Sequence, residues 1–127
     1  MNDLKEESVR GFLLEIKSTI TKPPGNWRSW VLVPRKENLN CISELGFTFQ
    51  DVRDVVLDLS VTDYCEGPLQ DQDKIGAFWI FGKVISGQEI YIKLKLASLS
   101  SLKIVRIVSF HKADRPLCYP YSQKKID

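Results

Sequence analysis

The sequence predicts an α+β fold, an antiparallel sheet of three to four strands with N-terminal helices packed on one face. Three observations lead there. Residues 4–20 and 36–59 carry apolar side chains three and four apart, the spacing of helices with one buried stripe. Residues 78–110 hold three β-rich runs separated by turn chemistry. The two patterns are segregated along the chain rather than alternating, which selects α+β over a parallel α/β sheet. With 127 residues, 43 % of them hydrophobic, the chain reads as one domain over 1–127 with its core in 28–121. That length buries a real core without disulfides or metals.

Leu4 to Ile20 forms the first helix, with Val9, Phe12, Leu13, Ile16 and Ile20 inward and Glu6, Glu7, Arg10, Glu15 and Lys17 outward. The run Thr-Lys-Pro-Pro-Gly-Asn at 21–26 stops it, since proline cannot continue the hydrogen-bond ladder. Arg28 to Val33 is a short strand that Pro34 ends or confines to a sheet edge. Lys36 to Leu45 is a second helix, with Leu39, Ile42 and Leu45 on its inner face and Gly46 as its terminal glycine. Thr48 caps a third helix, with Asp51 in the acidic capping position. That helix runs to about Leu59 and is expected to bury Phe49, Val52, Val55, Val56 and Leu59. Asp63 to Gly76 is expected to be a polar loop, with Gly67-Pro68 as a turn.

Phe78 to Ile85 is aromatic and β-branched, and Ser86-Gly87-Gln88 after it reads as a tight hairpin turn. From Ile90 to Leu96 the alternation is nearly complete. Ile90, Ile92, Leu94 and Leu96 take one face; Tyr91, Lys93 and Lys95 take the other. Leu102 to Phe110 is a third apolar run, ending at His111, the only histidine. These runs form an antiparallel meander.

A net charge of +2 does not by itself announce nucleic acid. Its distribution says more. Over residues 83–115, Lys83, Lys93, Lys95, Lys103, Arg106, Lys112 and Arg115 face a single acid after Glu89, Asp114, whereas residues 51–73 are acidic. Such asymmetry favours an anionic partner. Cys41, Cys65 and Cys118 stand far apart, which suits reduced thiols better than a disulfide framework or a zinc site. No run approaches a membrane span and the acidic N-terminus is wrong for a signal peptide, so a cytoplasmic protein is expected.

The sequence carries no Gly-rich phosphate loop, no GxSxG, no HExxH and no metal-ligand pattern, so neither cofactor nor metal is expected. What remains beside the sheet is Glu66, Tyr91, Lys93, Lys95, His111 and Arg115. A phenol, an imidazole, a carboxylate and cations suffice for metal-free cleavage of RNA, which supplies its own 2′-hydroxyl nucleophile. The enzyme takes one proton, returns another, and holds the phosphorane. In that reading His111 is general acid or base and Tyr91 orients phosphate or donates a proton. Lys93 and Arg115 stabilise the phosphorane, and Glu66 is the second acid/base group. Lys83, Lys95, Arg106 and Lys112 join Arg115 in binding RNA. Each residue also has a plainer counterpart: a strand-end histidine is most often structural, and a tyrosine or lysine most often covers a solvated sheet face.

Three stretches, SELGFTFQDVRDVVLDLSVTDY (Ser43–Tyr64), SGQEIYIKLKL (Ser86–Leu96) and RIVSFHKADRPLCYPY (Arg106–Tyr121), span about the last two thirds of the chain. In that order they resemble the MqsR-type (motility quorum-sensing regulator) toxins, RelE-like endoribonucleases of type II toxin–antitoxin pairs. The resemblance implies a cytoplasmic, metal-independent mRNA interferase held inactive by a cognate antitoxin protein. It places the family's active-site tyrosine at Tyr91 and its strand-end basic residue at His111. The family's loop lysine falls near Glu66, a charge reversal, and its glutamine ahead of the hairpin meets Ala77-Phe78-Trp79 instead. Two other readings stay open: a non-catalytic RelE-like module docking an acidic partner, or RNA binding without cleavage. The latter has few aromatic platforms to stack bases on, Tyr91 and Tyr119 being the obvious ones.

Overall fold

The computed structural model describes residues 4–22, 29–99 and 102–122. Helix α1 (Leu4–Thr21) turns Val9, Phe12, Leu13, Ile16 and Ile20 into the core, as its spacing predicts. Strand β1 (Trp30–Leu32) follows; Arg28 lies outside the described residues. Helix α2 (Lys36–Leu45) ends at Gly46, and helix α3 (Phe49–Leu57) begins at a complete capping box. There the Asp51 amide donates to Thr48 Oγ1 at 3.1 Å and the Thr48 amide donates to Asp51 Oδ2 at 2.8 Å. A 3-10 turn at Val61–Asp63 leads to β2 (Tyr64–Gln70), β3 (Ala77–Ile85), β4 (Gln88–Leu99) and β5 (Leu102–Lys112). Ser86 and Gly87, with φ of 52° and 76°, make the two-residue hairpin turn whose twist matches its strands.

The class is α+β as predicted, but the sheet has five strands in the order β1-β5-β4-β3-β2 and is mixed. β2 to β5 form an antiparallel meander, and β1 lies parallel to β5 at the edge. The helices cover one face. Ile90, Ile92, Leu94, Val105, Ile107 and Phe110 point into them and are wholly buried. Among the described residues no helix is long and apolar enough to cross a membrane.

Four sequence expectations need correction. Residues 64–70 are a strand, not a loop; β2 is an edge strand with two register shifts around the Gly67–Pro68 pair, which erases the alternation that would reveal it. α3 stops at Leu57, two residues short of Leu59, which is buried beyond its end. Phe49 is 53 % exposed, because it starts α3 on the side away from the core. Leu39 is 38 % exposed, because α2 turns Asn38, Cys41, Ile42 and Leu45 inward instead. A polar residue at an inward position misled the count of apolar spacings.

Asn38 is there for a reason. β1 ends at Leu32, and after Val33 donates to the Ile107 carbonyl at 3.0 Å the chain turns away at Pro34, leaving the outer edge of β5 bare beyond that point. Opposite Lys93 and Leu94 the register of β5 jumps from Ser109 to Ile107, so Val108 is an extra residue, a bulge. The fully buried Asn38 covers this stretch. Its Nδ2 donates to the carbonyls of Val33 (2.8 Å) and Val108 (3.1 Å), and its Oδ1 accepts from the Phe110 amide (2.9 Å). Removing it strands buried backbone groups, which costs about 1–3 kcal/mol each. Asn38→Ala should therefore lower unfolding free energy in urea by about 2–4 kcal/mol, against under about 0.5 kcal/mol for the exposed neighbour Asn40→Ala. Equal effects at the two positions would remove Asn38 as the bulge's support.

Candidate functional site

An uninterrupted strand alternates its faces, so residues an odd number apart cannot share one. Arg106 and His111 are five apart. The Val108 bulge resolves the conflict by switching parity: Arg106 pairs with Lys95 and His111 with Tyr91, both turned away from the helices. The helix-free face then carries Tyr91, Lys93 and Lys95 from β4 and Phe78, Ile80 and Gly82 from β3. Glu66 joins them from β2, paired with Ile80.

On this face the Tyr91 and His111 rings stack across the strand pair, centroids 5.4 Å apart and planes 26° from parallel. His111 Nδ1 lies 3.0 Å from the Lys112 carbonyl, which can only accept, so Nδ1 is the donor and Nε2 is the nitrogen left for a ligand. Glu66, Tyr91, His111 and Arg115 line one cavity of about 540 Å³, together with Asp114 and two thiols, Cys65 and Cys118. Burial first, then the charge of Glu66, raises the Tyr91 hydroxyl above its ordinary value, so it stays protonated at neutral pH and donates hydrogen bonds. Burial, with Glu89 and Asp63 nearby, pushes the Cys65 thiol up to about 12, so it is not a nucleophile there.

The fourth wall was not anticipated from the sequence. After Ala113 bonds back to the Glu89 carbonyl, residues 114–122 leave the sheet as a strap and recross its open face. The strap supplies Asp114, Arg115 and Cys118 to the cavity and reaches Tyr64 with Tyr121 (ring centroids 5.7 Å). Pro116 and Pro120, which favour extended chain, were its available signal.

The seven cations that the sequence groups together divide between two faces. Lys83 pairs with Asp63 (3.1 Å) and Asp58 (3.3 Å), Lys103 with Glu15, and Lys112 with Glu44 (3.5 Å), all on the helix side. Lys83 and Lys112 thus do not belong to the open face, a correction that follows from strand parity. Lys95 does face that way but is only 5 % exposed. It is bound at 2.6 Å to Asp71, beneath the 71–76 loop, and so is not free to meet a ligand. Among the described residues Lys93, Arg106 and Arg115 have no carboxylate partner, and these three lie on the open face or the strap. Lys93 does not line the cavity; its ammonium sits 4.3 Å from the centre of the Phe78 ring.

Comparison of the chain with protein-family models, with curated proteins and with solved structures finds no match.

The Lys95–Asp71 pair has a pH signature. The hydrogen bond from Lys95, seconded by the Asp73 amide, lowers the Asp71 carboxyl from 3.8 to about 2. A depressed carboxylate stabilises the fold above its unfolded value, and that contribution is lost as pH falls through the folded one. The pair should therefore hold at pH 5 and loosen only between about 3.8 and about 2. A ¹³C titration of the Asp71 carboxyl should give a midpoint near the lower figure, and Lys95→Met should return it towards the upper. An unchanged midpoint in Lys95→Met would refute the latch.

Proposed function

We propose that the chain is a metal-independent endoribonuclease, an mRNA interferase of the toxin–antitoxin kind, cleaving RNA by attack of its own 2′-hydroxyl. The observation that carries the reading is the cavity where a phenol, an imidazole, a carboxylate and a guanidinium meet, those of Tyr91, His111, Glu66 and Arg115. In-line attack needs a base on one side of the phosphorus and an acid on the other, with positive charge beside the equatorial oxygens. His111, with Nε2 open, takes the 2′-hydroxyl proton or protonates the leaving 5′-oxygen. Glu66 is the complementary carboxylate. Tyr91, permanently protonated at neutral pH, donates to a phosphate oxygen, and the Arg115 guanidinium offers the planar fork that suits phosphate. Lys93 and Arg106, outside the cavity, are placed to meet flanking phosphates of a longer strand.

The resemblance to the MqsR-type toxins adds an expected antitoxin that would cover this face, and a cytoplasmic setting. The three free thiols fit a reducing compartment. The charge reversal at Glu66 makes the acid/base pairing here carboxylate–imidazole.

Expressed alone, the protein should arrest growth and cut RNA in EDTA, leaving 2′,3′-cyclic phosphate ends. His111→Ala should lower the rate by about two to four orders of magnitude, the usual worth of a positioned proton-transfer group, with little change in folding. His111→Gln keeps a hydrogen bond to phosphate but cannot carry the proton, so it should be as inactive as alanine. Full activity in His111→Ala would reject the assignment, and activity lost in EDTA would reject the metal-free route. Salt-sensitive RNA binding without any cleavage would leave the non-catalytic module as the better reading.

A further inference from the structure

The strap that walls the cavity is held by one side chain outside it. Glu89 begins the open-face row of β4, two residues before Tyr91. Its Oε1 accepts from the Leu117 amide at 3.0 Å and its Oε2 accepts from the Tyr119 hydroxyl at 2.7 Å. Each carboxylate oxygen thereby accepts one hydrogen bond from the strap, and among the described residues no salt bridge engages Glu89. The sheet beneath is shaped to admit it. A Cβ at Gly82 would stand 2.4 Å from the Tyr119 hydroxyl oxygen and 2.6 Å from Leu117 Cδ1, closer than atoms can approach. Gly82 is the β3 partner of Tyr91, so the strap crosses the sheet directly beside the stacked rings. Arg115 stands between two anchors of this strap, the Ala113 amide on the Glu89 carbonyl (2.9 Å) and the Leu117 amide on the Glu89 side chain. One residue thus fixes the chain on both sides of the arginine.

We propose that Glu89 is a positioning residue: it clasps residues 114–122 to the open face and so holds Arg115 at the cavity. The inference deepens the ribonuclease reading and rests on it for the arginine's role, while the clasp itself is a property of the chain alone. A carboxylate near a phosphate site would ordinarily repel the substrate. Here Glu89 lies outside the cavity lining, with both its oxygens turned to strap donors.

Two variants release the strap from opposite sides. Glu89→Ala removes both acceptors, and Gly82→Ala pushes the strap off from beneath. In each, the amides of 114–122 should exchange hydrogen at least about tenfold faster, while those of β4 and β5 keep their protection. Maleimide should label the half-buried Cys65 faster in both, read in a Cys118→Ser background. Each should lower kcat/KM for RNA by about 10- to 100-fold, the scale of a misplaced binding group, and match Arg115→Ala. Combined with Arg115→Ala, Glu89→Ala should cost little further, since two changes acting through one side chain do not add. Glu89→Gln keeps an acceptor for Leu117 and a donor to the phenol oxygen, so it should recover most of the loss. Strap amides and Cys65 at wild-type rates in Glu89→Ala would overturn the clasp, whatever RNA does. A loosened strap with full cleavage, or additive losses with Arg115→Ala, would overturn the positioning role. A wild-type protein that leaves RNA intact would instead overturn the ribonuclease reading, with exchange and labelling still deciding the clasp.

Discussion

β5 has to satisfy two demands that an uninterrupted strand cannot meet together. Its first half must press Val105 and Ile107 into the helices, and its second half must do the same with Phe110. Those positions differ in parity, so one residue must be extra, and Val108 is that residue. A bulge frees backbone groups at the place where β1 has already turned away. Asn38 supplies the missing partners from α2. The same shift turns His111 onto the Tyr91 ring. A helix residue with no contact to the cavity therefore sets which face the only imidazole occupies.

The charges follow the same division. On the helix side Lys83, Lys103 and Lys112 are each held against carboxylates from neighbouring elements, and such exposed or half-exposed pairs contribute little to stability. Their effect is to tie these three strand lysines to the helix side. On the open side Lys95 is consumed by Asp71, and the cations left without carboxylates bracket the cavity.

Most of the fold was legible because most of it obeys a simple period. The helix at 4–21, the capping box at Thr48, the Ser86-Gly87 turn and the alternation of β4 all follow from local chemistry. What escaped was what depends on partners far along the chain. β2 lacks alternation because its bulges and the Gly67–Pro68 pair serve an edge. Asn38 reads as a surface residue until the bare edge of β5 is known. The site was half legible: strand parity puts Tyr91 and Lys93 together, but His111 joins them only through the bulge. The pairing states of seven similar-looking cations depend on which face each meets. The strap, and Glu89 beneath it, leave in the sequence only two prolines and a glycine.

The central claim is that the bulge sets His111 against Tyr91 on the face proposed to meet RNA, and one histidine makes it directly measurable. The imidazole Hε1 resonance of the wild-type protein is unique. It should show cross-peaks to the Tyr91 ring protons in the free protein. It should also shift saturably when an RNA oligonucleotide carrying 2′-deoxy substitutions, and so resistant to cleavage, is titrated in. An Hε1 signal with cross-peaks to helix-side residues in place of Tyr91, or one unmoved at saturating oligonucleotide, would contradict the account.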